Sequence, residues 1–295
     1  MRIAGENLKI SVEGQIVNYD DNGPVYAPPV IFIHGTPFNK SIWDLQVEAL
    51  KNNFRVISYD LRGHGGTRGE HEDLAIDTFT QDLIHFMDAL EIEKAIICGL
   101  SLGGYVALDA VNKFPGRFNG LVLSGVQCME DSEEIKSGRE KAISTLLTHS
   151  IEKYADDLMR ELFASTSFVT RKEEVRAVRR MIIDSKPASI VSTLAALSRR
   201  HESCSNLWSL QLPVLILAGK EDAITPVSVS RFMRDNINGS VLHEIEYAGH
   251  LANLENTHEF NMLLKAFIDK VCQKMQLSPH CVDATARRKA ALSKD

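Results

Sequence analysis

The feature that most constrains this chain is a five-residue turn, Gly99-Leu100-Ser101-Leu102-Gly103, set between two segments of opposite character. Before it runs Lys94-Ala95-Ile96-Ile97-Cys98, which is short, apolar and partly β-branched. After it comes Gly104-Tyr105-Val106-Ala107-Leu108-Asp109-Ala110-Val111, which reads as a helix. A strand that turns straight into a helix leaves no room for Cβ atoms two positions either side of the apex, which accounts for the two glycines. The apex serine is held clear of the chain. The free N–H groups of the new helix point at the same spot.

The remaining sequence repeats this alternation. Leu8-Lys9-Ile10-Ser11-Val12 and Ile16-Val17-Asn18-Tyr19, with Gly14 between them, read as a β-hairpin. Val30-Ile31-Phe32-Ile33 is continuously apolar, as a strand buried on both faces should be. Similar runs occur at 55–59, 95–98, 121–123, 214–217 and 241–245. Between them lie helical patterns at 41–51 and 78–90, and the serine helix from Leu102 to about Phe114, stopped by Pro115-Gly116. Alternating strands and helices predict an α/β fold with a mostly parallel, doubly wound sheet of about eight strands.

The alternation fails between Gln127 and Leu207. Ile143, Leu146, Leu147, Ile151, Tyr154, Leu158 and Leu162 recur there at helical spacing, and further helices are expected at 172–185 and 189–198. A helical block inserted between two sheet strands sits over the strands' C-terminal ends, where ligands bind. The expected organisation is therefore a core domain from 1–126 and 208–273, a helical cap at 127–207, and a flexible, polar C-terminal tail at 274–295.

A formal net charge of −6 argues against general nucleic-acid binding. No run approaches the roughly 20 apolar residues of a membrane span, and no secretory leader is expected. Five cysteines, at 98, 128, 204, 272 and 281, show no C-x-x-C spacing. No disulfide framework or zinc site is expected from them, and a reducing cytoplasm fits best. The oligomeric state stays open.

A nucleophilic serine needs a base within hydrogen-bond reach, and the base needs an orienting acid. Asp222 follows the run Val214-Leu215-Ile216-Leu217, and His250 follows the next strand, in Tyr247-Ala248-Gly249-His250-Leu251. Both loops should open on the same sheet edge as Ser101. Glu221, beside Asp222, is the less favoured acid. Stabilising an oxyanion takes two backbone N–H groups. Leu102 supplies one, and the loop His34-Gly35-Thr36-Pro37-Phe38-Asn39 the other. Thr36 is the choice, because Gly35 permits the close turn and Pro37 has no N–H. Phe38 is the alternative donor and a candidate pocket wall, with Leu251 a second substrate contact. His34 reads as a structural residue at the loop base.

These motifs, with Asp60-Leu61-Arg62-Gly63-His64-Gly65-Gly66-Thr67, occur in an order that resembles the α/β-hydrolase fold superfamily, over about residues 8–272. Within it the chain looks most like bacterial carboxylesterases and 3-oxoadipate enol-lactonases. The resemblance implies a serine, aspartate and histidine triad at Ser101, Asp222 and His250, with oxyanion amides at Thr36 and Leu102. It implies hydrolysis of a small carboxylic ester, with no cofactor and no metal. The serine at 101 departs from haloalkane dehalogenases and epoxide hydrolases of this fold, which carry an aspartate nucleophile. The alternatives are an enol-lactonase or C–C bond hydrolase acting on a carboxylate-bearing substrate, and a small-molecule sensor that keeps the triad. A carboxylate substrate would want a buried cation, for which Arg199, Arg200, Arg179 and Arg180 are the candidates.

Overall fold

In the computed structural model, which describes residues 4–69 and 74–276, eight strands form one sheet in the order β1-β2-β4-β3-β5-β6-β7-β8. The chain opens with the antiparallel hairpin β1 (Gly5–Val12) and β2 (Gln15–Asn22). Strand β2 also pairs antiparallel with β4. From there β3 (Pro29–Ile33), β4 (Arg55–Tyr59), β5 (Ala95–Leu100), β6 (Phe118–Ser124), β7 (Val214–Gly219) and β8 (Val241–Ile245) run parallel.

The period of two along these strands divides the core. Ile31, Ile33, Ile57, Ile97, Leu121, Leu123 and Ile216 face one apolar cluster, and Val30, Phe32, Val56, Ile96, Cys98, Val122, Leu215 and Leu217 the other. On the first side pack α2 (Ile76–Ala89), α3 (Leu102–Lys113) and, through Met233, α9 (Val227–Asn236). On the second pack α1 (Asp44–Leu50) and α11 (Thr257–Gln276), through Val47, Leu50, Phe260, Leu264 and Ile268. Each fully buried side chain of this size contributes roughly 1.5–3 kcal/mol relative to exposure. A short helix, α10 (Ala252–Glu255), leads into α11. The helix expected at 41–51 begins instead with a 3-10 turn, Lys40–Trp43, capped by the Asn39 side chain.

Between β6 and β7 lie α4 (Glu133–Thr148), α5 (Ile151–Leu162), α6 (Ser167–Thr170), α7 (Lys172–Ile183) and α8 (Pro187–Ser198). Ser132 and Ser150 cap the first two, accepting from Ile135 N and Lys153 N, and Pro187 starts the last. Leu146, Tyr154, Met159, Val178, Ile182 and Ile190 of this insertion join the second core cluster, so it packs on the core as a continuous layer.

The ends of the insertion are joined covalently. Cys128 and Cys204 form a disulfide with Cα atoms 4.8 Å apart. This corrects the expectation of no disulfide. Spacing rules detect local pairs, whereas these cysteines are 76 positions apart and meet because the insertion returns to where it left. Ser203 N donates to Cys128 O at 2.8 Å beside the bond. Cys98 and Cys272 are buried and free, and Cys281, like most of the tail expected at 274–295, lies outside the described residues. Among the described residues no helix is long and apolar enough to cross a membrane.

Candidate active site

Strand register brings the candidate loops together. Leu100 pairs with Ser124, Ile33 with Gly99, and Gly219 with Ile245. The residues that follow these strand ends therefore leave one edge of the sheet side by side. Ser101 sits at the apex of its turn with φ 51° and ψ −117°, in a region that L-residues rarely occupy. A Cβ at Gly99 would lie 2.3 Å from Gly103 O, and one at Gly103 would lie 2.2 Å from Ile33 O. The glycines are thus required by backbone that passes too close for any side chain. Ser101 N donates to Ser124 O at 2.9 Å, which pins the apex to the neighbouring strand end.

His250 and Asp222 meet across two loops. His250 Nδ1 lies 2.9 Å from Asp222 Oδ2, with both side chains buried. Asp222 Oδ1 accepts from Ile224 N and Thr225 N at 2.9 and 2.8 Å. An ionised carboxylate only accepts, so Nδ1 carries the proton and Nε2 keeps its lone pair. Glu221 points to solvent and plays no part in this contact. The imidazole packs on Gly125, whose φ is +60° and where a Cβ would lie 2.6 Å from His250 Cε1. Gly125 follows the residue that holds Ser101 N, so the histidine ring and the serine flank one short segment. Ser101 Oγ makes no hydrogen bond to His250 in this structure. Such contacts often tighten only when substrate binds.

The loop after β3 lies against the serine. A Cβ at Gly35 would come within 3.1 Å of Ser101 Cβ. Phe38 N donates to Gly35 O at 3.0 Å, which removes it as an alternative oxyanion donor. Thr36 N has no such partner among the described residues, and Leu102 N, first in its helix, has no intrahelical acceptor. Thr36 Oγ1 is 3.0 Å from His64 Nε2, and His64 Nδ1 donates to Arg62 O at 3.0 Å. His34 uses both ring nitrogens, donating from Nδ1 to Gly35 O at 2.8 Å and accepting at Nε2 from Leu61 N at 3.0 Å. Burial lowers its pKa to about 4, so it is a neutral structural link. Asp60 accepts from Lys40 N, Asn18 Nδ2 and Gly66 N, tying this loop to the one after β4.

The insertion touches both loops. Ser185 Oγ donates to Pro37 O at 2.8 Å, Asn39 N to Met181 Sδ at 3.3 Å, and His250 N to Leu162 O at 2.9 Å. Phe38 and Leu251 are fully buried in the cluster shared with the insertion. Three of the four arginines expected to receive a carboxylate are otherwise engaged. Arg200 is buried against Asp131 and the Met129 carbonyl, with its guanidinium 4.2 Å from the Tyr105 ring centroid. Arg139 closes the same cluster from α4 through Asp131 Oδ2. Arg199 donates to Leu74 O, Arg179 pairs with Asp156 on the surface, and Arg180 is exposed. Reading by motif missed Gly125, Glu255 and the Asp131 cluster. Gly125 had a local signal, a glycine directly after a strand, while the others depend on distant partners.

Hydrolases are among the known proteins that this chain resembles. A 3-oxoadipate enol-lactonase of Acinetobacter baylyi is 26% identical over 88% of this chain and 95% of its own. A pimeloyl-[acyl-carrier protein] methyl ester esterase of Nitrosomonas europaea is 28% identical over 79% and 93%. The structure of a thermophilic esterase from Thermogutta terrifontis superposes with a TM-score of 0.85 at 28% identity, covering 90% of this chain and 99% of that one. The alpha/beta hydrolase fold family matches residues 28–257, and the chain belongs to that family.

Proposed function

We propose that this protein is a serine esterase that cleaves small carboxylic esters through an acyl-enzyme. The observation that carries the reading is the buried contact between His250 Nδ1 and Asp222 Oδ2, with the imidazole packed beside the Ser101 turn. It leaves Nε2 as the proton acceptor that the serine needs. Ser101 Oγ attacks the ester carbonyl as its proton passes to His250 Nε2. Asp222 holds the imidazole in the required tautomer and stabilises its cation. The N–H groups of Thr36 and Leu102 take the negative oxygen of the tetrahedral intermediate, a contribution of about 10²–10³ in turnover per donor. Collapse breaks the ester C–O bond, and the alcohol leaves with the proton from His250. A water that gives its proton to His250 then releases the acid and restores Ser101.

The contacts of α5 and α7 with the two loops support a role for the insertion as a cap over the reacting bond. Phe38 and Leu251 would form the apolar floor of the acyl site. A cytoplasmic location loses its cysteine argument, since Cys128 and Cys204 are joined. Enol-lactone hydrolysis is the second reading, favoured by the Acinetobacter relative and served by the same chemistry. Ser101→Ala decides the first step. Hydrolysis of a short p-nitrophenyl ester should fall by more than about 10⁴-fold while far-ultraviolet circular dichroism stays unchanged. Retained turnover would remove Ser101 from the mechanism.

A further inference from the structure

The turn that carries His250 is held by a carboxylate that the proposed chemistry does not use. Glu255, at the end of α10, is 3% exposed. Its Oε1 accepts the Gly249 N–H at 2.8 Å, and its Oε2 accepts the Ala164 N–H and the Ser167 hydroxyl, each at 2.7 Å. The Leu251 N–H also donates to this carboxylate. The N–H between them, that of His250, goes to Leu162 O. Three consecutive amides around the histidine are therefore all committed, two to Glu255 and one to the insertion. A Cβ at Gly249 would lie 2.8 Å from Ala164 N and 2.9 Å from Leu162 O, so turn and insertion are in backbone contact. Arg171 Nε adds a further tie, donating to Glu255 O at 2.9 Å.

Four donors converge on one carboxyl group. An ionised carboxylate satisfies all four, whereas a neutral acid would direct its own O–H against one of them. Burial raises the Glu255 pKa, and the four hydrogen bonds pull against that rise. Two of the bonds reach residues 91 and 88 positions away in sequence, so the group does more than cap its own helical turn.

We propose that Glu255 is a positioning residue for His250. It fixes the backbone at 249–251 and fastens that turn to residues 164–167 of the insertion, so the seat of the insertion and the reach of the imidazole are set together. The proposal rests on His250 being the base in the hydrolysis described above.

Glu255→Gln keeps the size of the side chain but turns one acceptor oxygen into an NH₂ group facing a donor. Glu255→Asp keeps the charge and shortens the reach. Functional sites are counted with a serine-reactive phosphonate, and turnover of a p-nitrophenyl ester is expressed per counted site. Glu255→Gln should lower kcat at least about 10-fold with KM within about twofold, because a small displacement of a catalytic group is enough for such a loss. Glu255→Asp should recover part of it. The low-field proton resonance of His250 Nδ1–H should shift or broaden in Glu255→Gln without any substrate. A loss of stability with kcat per site and the low-field resonance both unchanged would overturn the proposal. Should Glu255→Gln not fold, Ser167→Ala carries the test, with a fall in kcat per site of about threefold or more expected and an unchanged value overturning it. A wild-type protein that turns over no ester counts against the esterase reading alone, since the resonance still reports the His250 turn.

Discussion

Ser101 and Gly125 are two backbone positions on which the site's geometry rests. Ser101 accepts a φ of 51° that costs of order 1–3 kcal/mol, supplied by the packing of β5 and α3 around it. Gly125 is the counterpart on the next strand end, and its missing side chain is what lets the His250 ring come so close to the sheet edge. Gly125→Ala would place a methyl 2.6 Å from Cε1 and strain a φ of +60°. The ring must yield, because the backbone of β6 is fixed by pairing on both sides. The expected outcome is a fall in kcat/KM of about 10²-fold with retained circular dichroism. Gly116→Ala, where an added Cβ meets nothing within 4 Å, is the neutral control. Full activity in Gly125→Ala would mean that His250 does not work from this position. The residues around Ser101 could be picked from sequence because each sits in a glycine-containing stretch within a few residues of an apolar run. Glu255 could not, because its partners Ala164 and Ser167 lie 91 and 88 positions away, and its own neighbours in sequence look like an ordinary helix turn.

At the level of elements, the strands were readable and the insertion was readable only as helices. A strand buried on both faces is apolar throughout, and 30–33, 95–98 and 214–217 announce themselves in that way. The hairpin was equally plain from its alternation and Gly14. What composition cannot show is where α4 to α8 return to the core. That is decided by Cys128–Cys204, by Ser203 N on Cys128 O, and by Asp131 between Arg139 and Arg200. The polar ties survive loss of the covalent one, so the disulfide acts mainly on stability. Cys204→Ser should lower the free energy of unfolding by about 4 kcal/mol, the entropy of a closed loop of this length. Its kcat should stay within about twofold of wild type. Urea denaturation under non-reducing conditions tests this, and reduction of the wild type should bring its midpoint to that of the variant. Equal midpoints before reduction would show that the bond contributes nothing.

For the molecule as a whole, charge separates the two readings of substrate. The formal net charge is −6, and the candidate site adds to it locally. Asp222 takes its bonds from His250 and two amides, Glu255 from amides and a hydroxyl, and among the described residues neither pairs with a lysine or arginine. Arg200, the buried candidate for a substrate carboxylate, is spent on Asp131 and the Met129 carbonyl. A carboxylate-bearing substrate would then approach a negative molecule without Arg200 to receive it, whereas a neutral ester meets no such barrier. Fields of this kind reach about 30 Å at 0.01 M salt and are largely screened at about 0.5 M. The expected result is that kcat/KM for a neutral p-nitrophenyl ester is flat across this range. For the half-ester of a dicarboxylic acid it should start about 10-fold lower and rise with salt. The opposite pattern, a preference for the half-ester that weakens with salt, would require a cation at the site and would move the assignment to an enol-lactonase. Its source could then be sought by neutralising Arg199, which is exposed at the end of α8 and donates to the Leu74 carbonyl.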